Sequence, residues 1–212
     1  MGYLDELKKE QNNVLVVGDL HSPFIRQGYF EHCLKIRDIY NCEQIVFIGD
    51  IIDNHYSSYH DASPDGFGAG EELERAIAII QEWHKEFPVA KVCIGNHDAI
   101  ISRKAFSSGV SNKWVKDFDE VLGTPEWDFK QEHIIDNVMY VHGTGSSGKG
   151  ATKRLREWQT SIVQGHIHTE AFVDWYSVKD KRMFAMQVGC GVDDQSYAMA
   201  YAKNFTKKYI IS

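Results

Sequence analysis

Gly165-His166-Ile167-His168 sets two imidazoles two residues apart, directly after the apolar run Ser161-Ile162-Val163-Gln164. Such a run reads as a strand, and a glycine after it lets the backbone turn tightly. Both histidines then leave the strand end on a loop that can aim them at one point. Two close histidines alone are weak evidence, because such pairs are often surface polar residues. The pair gains weight because other apolar runs end the same way. Val14–Val17 opens into Gly18-Asp19-Leu20-His21, Gln44–Ile48 into Gly49-Asp50-Ile51-Ile52-Asp53, Ala90–Ile94 into Gly95-Asn96-His97-Asp98, and Val138–Val141 into His142-Gly143.

Asp19, His21, Asp50, Asn96, His142, His166 and His168 together offer carboxylate oxygens, imidazole nitrogens and an amide oxygen, and no thiolate. That mixture suits divalent first-row metals such as Mn, Fe, Zn, Ni or Co better than calcium or magnesium. The set is too large for one catalytic metal that keeps a coordination position open. It fits two metals if one carboxylate is shared.

The elements that would position these residues alternate. The runs at Val14, Gln44 and Ala90 are buried strands by their continuous apolar character. Between them, Gly28–Tyr40 carries Phe30, Leu34 and Ile39 near helical spacing, and Glu71–Phe87 is an amphipathic helix with Leu73, Ile77, Ile80 and Trp83 on one side, stopped by Pro88. Polar residues thus stand at the carboxyl end of each strand of a β-α-β-α-β half, where open α/β sheets place their ligands. Asn54–Gly70 is a long loop rich in Ser, Gly, Asp, Tyr and His, of a length that is usually functional or mobile. Met1–Gln11 reads as a short polar helix, and Ala99–Leu122 as helical in pieces, broken around Ser107-Ser108-Gly109. The second half is richer in strands: Phe129–Asp136 and Val138–Val141 flank Asn137 as a hairpin, Lys149–Trp158 is helical, and Ile162–Gln164, Glu170–Tyr176, Arg182–Val188 and Lys208–Ile211 are strands.

At 212 residues the chain is most simply one domain, residues 1–212. No apolar run reaches membrane-spanning length, and the polar N-terminus is no signal peptide. Cys33, Cys42, Cys93 and Cys190 lack Cys-x-x-Cys spacing and read as reduced thiols, which points to the cytoplasm. The net charge of −7 argues against sequence-blind binding to duplex nucleic acid, although a local basic patch stays open.

The five strand-end motifs, in this order and spanning Val14 to Gly191, resemble those of the calcineurin-like metallophosphoesterase family. More loosely, Trp127–Gly145 and Gln187–Ala202 resemble small phosphoesterases of bacteria and phages. The resemblance implies a four-layer α/β/β/α sandwich of two mixed β-sheets flanked by helices, and two divalent metal ions, manganese ahead of Fe, Zn, Ni or Co. It implies that Asp19, His21 and His168 bind one metal, that Asn96, His142 and His166 bind the other, and that Asp50 bridges. His97 would face the substrate as proton donor, with Asp98 orienting it and Asp53 supporting a ligand from behind. The implied reaction is hydrolysis of a phosphoester: a hydroxide held between the metals attacks phosphorus in line, and His97 protonates the leaving oxygen.

The chain departs from the protein-phosphatase branch, where an Arg follows the second motif; here Asn54 and His55 stand instead, which speaks against a phosphoprotein phosphatase. His55 and His60 are then substrate contacts or plain loop polarity. Lys149, Lys153, Arg154 and Arg156 are either a phosphate-binding cluster or a solvated helix face, and Arg103 and Lys104 are lesser candidates of the same kind. The short chain favours small phosphoesters or nucleotides. A phosphodiesterase or nuclease is the runner-up, and a metal-free scaffold that has lost catalysis is the remaining class. Nothing in the sequence addresses oligomeric state, and no membrane partner is expected.

Overall fold

The computed structural model describes residues 12–59, 62–202 and 208–212, with side chains left aside at 200–202. The helix expected over Met1–Gln11 lies outside the described residues.

Strands β1 (Val14–Val17), β2 (Gln44–Phe47), β3 (Ala90–Cys93) and β4 (Trp127–Lys130) form one sheet in that order. A second sheet contains β5 (Glu132–Ile135), β6 (Val138–Val141), β7 (Ser161–Gln164), β8 (Phe172–Val178) and β9 (Lys181–Gln187) in the order β5-β6-β7-β9-β8. Helices α1 (Tyr29–Tyr40), α2 (Ala69–Glu86), α3 (Ile100–Ser107) and α4 (Phe118–Leu122) lie between the strands of the first sheet, and α5 (Gly150–Trp158) between β6 and β7.

Alternation along the strands builds the layers. Leu15, Val17, Ile45, Phe47, Ala90 and Val92 face the helix layer, where Trp83 and Phe87 of the α2 region complete the core. The intervening Val46, Ile48 and Cys93 point the other way and share a second core with Ile135, Tyr140 and Val163 of the other sheet. Both faces are buried, which explains why these strands read as unbroken apolar runs. Beyond the second sheet, Ala151 and Leu155 of α5 pack on Met183 and Ala185 of β9. The result is α/β/β/α.

Three details differ from expectation. The first sheet is parallel throughout, because every link between its strands is a helical crossover. Only the second is mixed, with β6, β7 and β9 parallel and the edge strands β5 and β8 antiparallel. The expected strand over Phe129–Asp136 breaks at Gln131, and its halves join different sheets. Trp127 anchors the first half, its indole Nε1 donating to Phe87 O at 2.8 Å, whereas Ile135 turns into the core between the sheets. In place of a strand over Lys208–Ile211, the segment makes a single bridge from Ile211 to Cys190. The hairpin at Asn137 is present, with Asp136 and Asn137 at φ 50° and 61°, the pair of left-handed residues that a two-residue turn requires.

Candidate metal centre

Parallel pairing puts the carboxyl ends of β1, β2 and β3 at one edge of the first sheet and those of β6 and β7 at the matching edge of the second. The structure brings all the candidate ligands to this edge. Asp19, His21 and His168 form one group and Asp50, His142 and His166 another; within each, the potential ligand atoms lie within 4.8 Å of one another. Asn96 joins the second group, its Oδ1 3.1 Å from His142 Nε2. A third grouping, His21, Asp50 and His97, meets the same distance.

Asp50 stands between the two groups. Its Oδ2 is 3.4 Å from His21 Nε2 and 3.2 Å from His142 Nε2, while its Oδ1 accepts the backbone N–H of His97 at 2.8 Å. The backbone bends to allow this: His21, Asp50 and His166 have φ of 49°, 48° and 73°. Left-handed conformations at non-glycine residues cost roughly 1–3 kcal/mol each and gather where function holds them.

Two features show that the donor set suits cations. His142 Nδ1–H donates to Ile48 O at 3.0 Å, so Nε2 is the free face of the ring. Around that Nε2 stand Asp50 Oδ2 at 3.2 Å, Asn96 Oδ1 at 3.1 Å and His166 Nδ1 at 3.2 Å, a shell of electron-rich atoms. In the other group, Asp19 Oδ1 and His21 Nε2 are buried with no hydrogen-bond partner. Orphaned buried polar atoms are costly unless something positive completes them. A divalent cation held by these residues would complete them. Burial opposes a charge on His142, but Asp50 and Asp19 outweigh it and carry its pKa to about 9. Burial likewise opposes a charge on His21, but the carboxylates of Asp50 and Asp53 beside the ring hold its pKa well above the usual value. His166, pushed down to about 4 by burial and by His142, is neutral and ready to ligate.

Asp53 supports the site from behind: its Oδ1 meets His21 Nδ1, and its backbone O meets His97 Nδ1 at 2.6 Å. His97 Nε2 is then the ring nitrogen left towards the cavity, and burial followed by the neighbouring His21 lowers the pKa of this ring. Asp98 does not orient His97, contrary to the sequence expectation. It is fully inside, where Oδ1 accepts the N–H groups of Ile51 (2.9 Å) and Ile52 (3.2 Å) and Oδ2 accepts that of Gly95 (2.8 Å). It fastens the second and third motif loops to each other, and burial, then Asp50, lifts its pKa to about 7.

The lesser candidates mostly serve the scaffold. Asn54 Nδ2 donates to His97 O at 3.0 Å, which tethers that loop. His55 is buried and its Nε2 accepts Ser63 N–H at 3.2 Å, so the ring is no substrate contact. Its backbone N–H donates to Glu72 Oε1 at 2.6 Å, a carboxylate read from sequence only as part of a helix. His60 lies outside the described residues. The basic run on α5 does not gather towards the site. Lys149 pairs with Asp174, Lys153 with Glu157, and Arg154 turns inward to Ser146 Oγ (2.5 Å), Gln164 Oε1 (2.7 Å) and Thr144 O (3.1 Å). Arg154 thereby braces the loop after His142. Arg103 lies on the surface with its guanidinium 5.2 Å from the Tyr59 ring centroid.

The cavity in front of the two groups measures about 410 Å³. Its further walls were missed in the sequence: Ser146, Ser147 and Gly148 on one side and Tyr209 on another. The glycine-rich stretch after His142 was a usable signal for the first wall. Nothing local marked Tyr209, whose ring packs edge-on against His168 at 4.9 Å because the C-terminal segment returns to hydrogen-bond His168 O through Ile210 N. A wider cleft of about 700 Å³ lies by the starts of β6, β7 and β9, away from these groups, so chemistry rather than size selects the site.

Close approach requires glycine at two motif positions. A Cβ on Gly95 would run into the Asp50 carboxylate, and one on Gly165 into Asp19 Oδ1 and, at 2.5 Å, Ile48 Cγ2. Gly165→Ala is therefore expected to displace Asp19 and to weaken binding of divalent cations by about 100-fold, close to 3 kcal/mol. Gly70→Ala, in α2 with nothing within 4 Å of its added methyl, is the control and should be neutral or slightly stabilising. Metal analysis and melting curves on the two variants check this; wild-type metal content in Gly165→Ala would show that the approach is not needed.

A family model described as calcineurin-like phosphoesterase matches residues 13–202. No curated protein matches the chain. Among solved structures, the nuclease MPE of Pseudomonas putida is similar at 10% identity, covering 86% of this chain and 76% of that one with a TM-score of 0.46. Vacuolar Protein Sorting 29 from Cryptosporidium parvum is similar at 11% identity, 87% and 77% coverage and a TM-score of 0.46. YfcE, a phosphoesterase from E. coli, gives 14% identity, 87% and 82% coverage and a TM-score of 0.40.

Proposed function

The chain belongs to the calcineurin-like phosphoesterase family of metal-dependent phosphoesterases, and on that footing we propose that it is a dinuclear phosphoester hydrolase acting as a single catalytic domain. The observation that carries the dinuclear reading is Asp50, one carboxylate oxygen of which faces a nitrogen of each histidine group. Asp19, His21 and His168 would hold one cation, and Asn96, His142 and His166 the other, with Asp50 common to both. Divalent cations held there, manganese first, supply Lewis acidity to phosphoryl oxygens and lower the pKa of water towards neutrality.

The chain's own residues do the rest. Asp53 keeps His21 in the tautomer that offers Nε2, and through its backbone oxygen points His97 Nε2 at the cavity. His97 delivers the proton that the leaving oxygen needs; the anionic substrate offsets the burial that lowers its pKa. Arg154 sets the Ser146–Gly148 wall, and Tyr209 closes the side by His168. Two substrates suit the cavity: a small phosphoester or nucleotide, and a phosphodiester strand crossing its open mouth. The surface flanking α3 favours the second.

The cysteines, all free, support a reducing compartment such as the cytoplasm. No helix among the described residues is long and apolar enough to cross a membrane.

Exhaustive dialysis against a chelator should remove two metal equivalents per chain, lower the melting temperature and abolish phosphoester hydrolysis. Mn, Ni, Zn and Mg supplied separately should restore activity to different degrees. Undiminished hydrolysis by metal-free protein would refute the proposal, and a single bound equivalent would refute its dinuclear form.

A further inference from the structure

Residues 99–116 contain Arg103, Lys104, Lys113 and Lys116 and no acidic residue, in a chain whose net charge is −7. The same stretch carries the most exposed large apolar side chains of the described residues, Trp114 at 84% and Phe106 at 80% exposure, and Tyr59 at 60% stands beside it. These residues are neighbours in space. Arg103 and Lys104 lie 5.2 and 5.4 Å from the Tyr59 ring centroid. Arg103, Phe106 and Asn112 line one shallow hollow. Trp114 and Ile101 wall an apolar cleft of about 490 Å³ whose other side includes Leu73 and Phe118. Lys116 pairs with Glu120 at 2.5 Å, whereas Arg103, Lys104 and Lys113 carry no ion pair among the described residues. Helix α3 starts three residues after His97, which places Arg103 and Phe106 about 5–9 Å along its axis from the end nearest the metal centre.

Exposed aromatic rings interleaved with cations that carry no ion pair among the described residues match the two chemistries of a single strand: flat bases that stack and phosphates that need counter-charge. A duplex keeps its bases inside and would leave the rings in water. A second copy of this chain is disfavoured, because an isologous contact through this face would bring the cations of both copies together. We propose that the face formed by Tyr59, Arg103, Lys104, Phe106, Lys113 and Trp114 binds single-stranded nucleic acid and leads its backbone to the metal centre. The substrate class that follows, a phosphodiester within a strand, rests on the hydrolase reading; the binding face itself does not.

The test uses the manganese-supplied protein and a fluorescein-labelled oligo(dT) of about twelve nucleotides, with oligo(U) as the RNA arm, read by anisotropy on ice before turnover. Phe106→Ala with Trp114→Ala should raise Kd about tenfold or more. Replacing Arg103, Lys104 and Lys113 by Gln should flatten the slope of log K against log salt by about 2. Circular dichroism and melting curves check that both variants stay folded. Binding of either oligonucleotide with these losses supports the face. Absent binding, or a Kd and salt slope unmoved by both variants, overturns it, as does a wild-type dimer that the aromatic variant splits into monomers. Hydrolysis of a small aryl phosphodiester by the wild type reports on the metal centre separately. Activity there without strand binding removes only the face, and strand binding without hydrolysis of any ester removes only the hydrolase reading.

Discussion

Asp50→Ala should reduce turnover by at least about 10³-fold and leave the protein short of metal, a loss of more than about 4 kcal/mol in transition-state stabilisation. Three separate contacts depend on this carboxylate. Oδ2 faces both histidine groups, so its loss would strip a negative charge from both proposed metal positions at once. Oδ1 holds the backbone N–H of His97, so the proposed proton donor would also be released. The effect should therefore exceed that of Asn96→Ala, which removes an oxygen from one group only. Asp50→Asn keeps the shape and one acceptor while deleting the charge. If charge sharing is what matters, Asn should be nearly as damaging as Ala. Metal content by plasma emission spectroscopy and kcat on one phosphoester decide it. Two metals per chain and near-normal kcat in Asp50→Ala would end the case for a shared ligand.

His97→Ala is the second large effect and should have a different signature. Metal content and melting temperature should hold, because the ring's hydrogen bond among the described residues is to Asp53, and its backbone N–H to Asp50 survives the substitution. Turnover should fall about 10²–10⁴-fold on an alkyl ester, whose leaving oxygen needs a proton, and far less on a nitrophenyl ester, whose leaving group departs as the anion. The split between the two esters separates a proton donor from other roles. His97 also lies within ligand distance of His21 and Asp50. If the variant loses metal and both esters suffer equally, His97 is a ligand of that grouping and the proton must come from elsewhere.

The two expectations differ in how much of them could be read from the chain. The candidate metal ligands announce themselves because each follows an apolar run, and a strand end is where a polar side chain can escape burial. The glycines of Gly95-Asn96 and Gly165-His166 carry the same message, since a Cβ at either would collide with a carboxylate from another strand end. Asp98 shows the limit of such reading. The family resemblance implied that it orients His97, yet the turn directs its carboxylate backward to three N–H groups, and Asp53, distant in sequence, takes the ring instead. Arg154 misleads in a similar way: a cation on a helix next to the site reads as a phosphate contact, but its face of α5 meets Gln164 of β7 and the loop at Ser146. Side-chain direction on a helix depends on what the helix packs against, which local pattern does not state.

The amino-acid sequence alone determined the β-α-β-α-β pattern of the first half, the strand-end residues and the oxygen- and nitrogen-rich donor chemistry they imply, because burial periodicity and donor type are local properties. Tertiary structure decided which residues meet. It assigned β4 and β5 to different sheets, brought His168 Nε2 to 3.0 Å from Asp19 Oδ2 across most of the chain, and returned Tyr209 from the C-terminal segment to wall the cavity. These are consequences of how two sheets stack and how a chain closes on itself. They arise from long-range packing that fixes register and direction together, and no short stretch of residues carries that information.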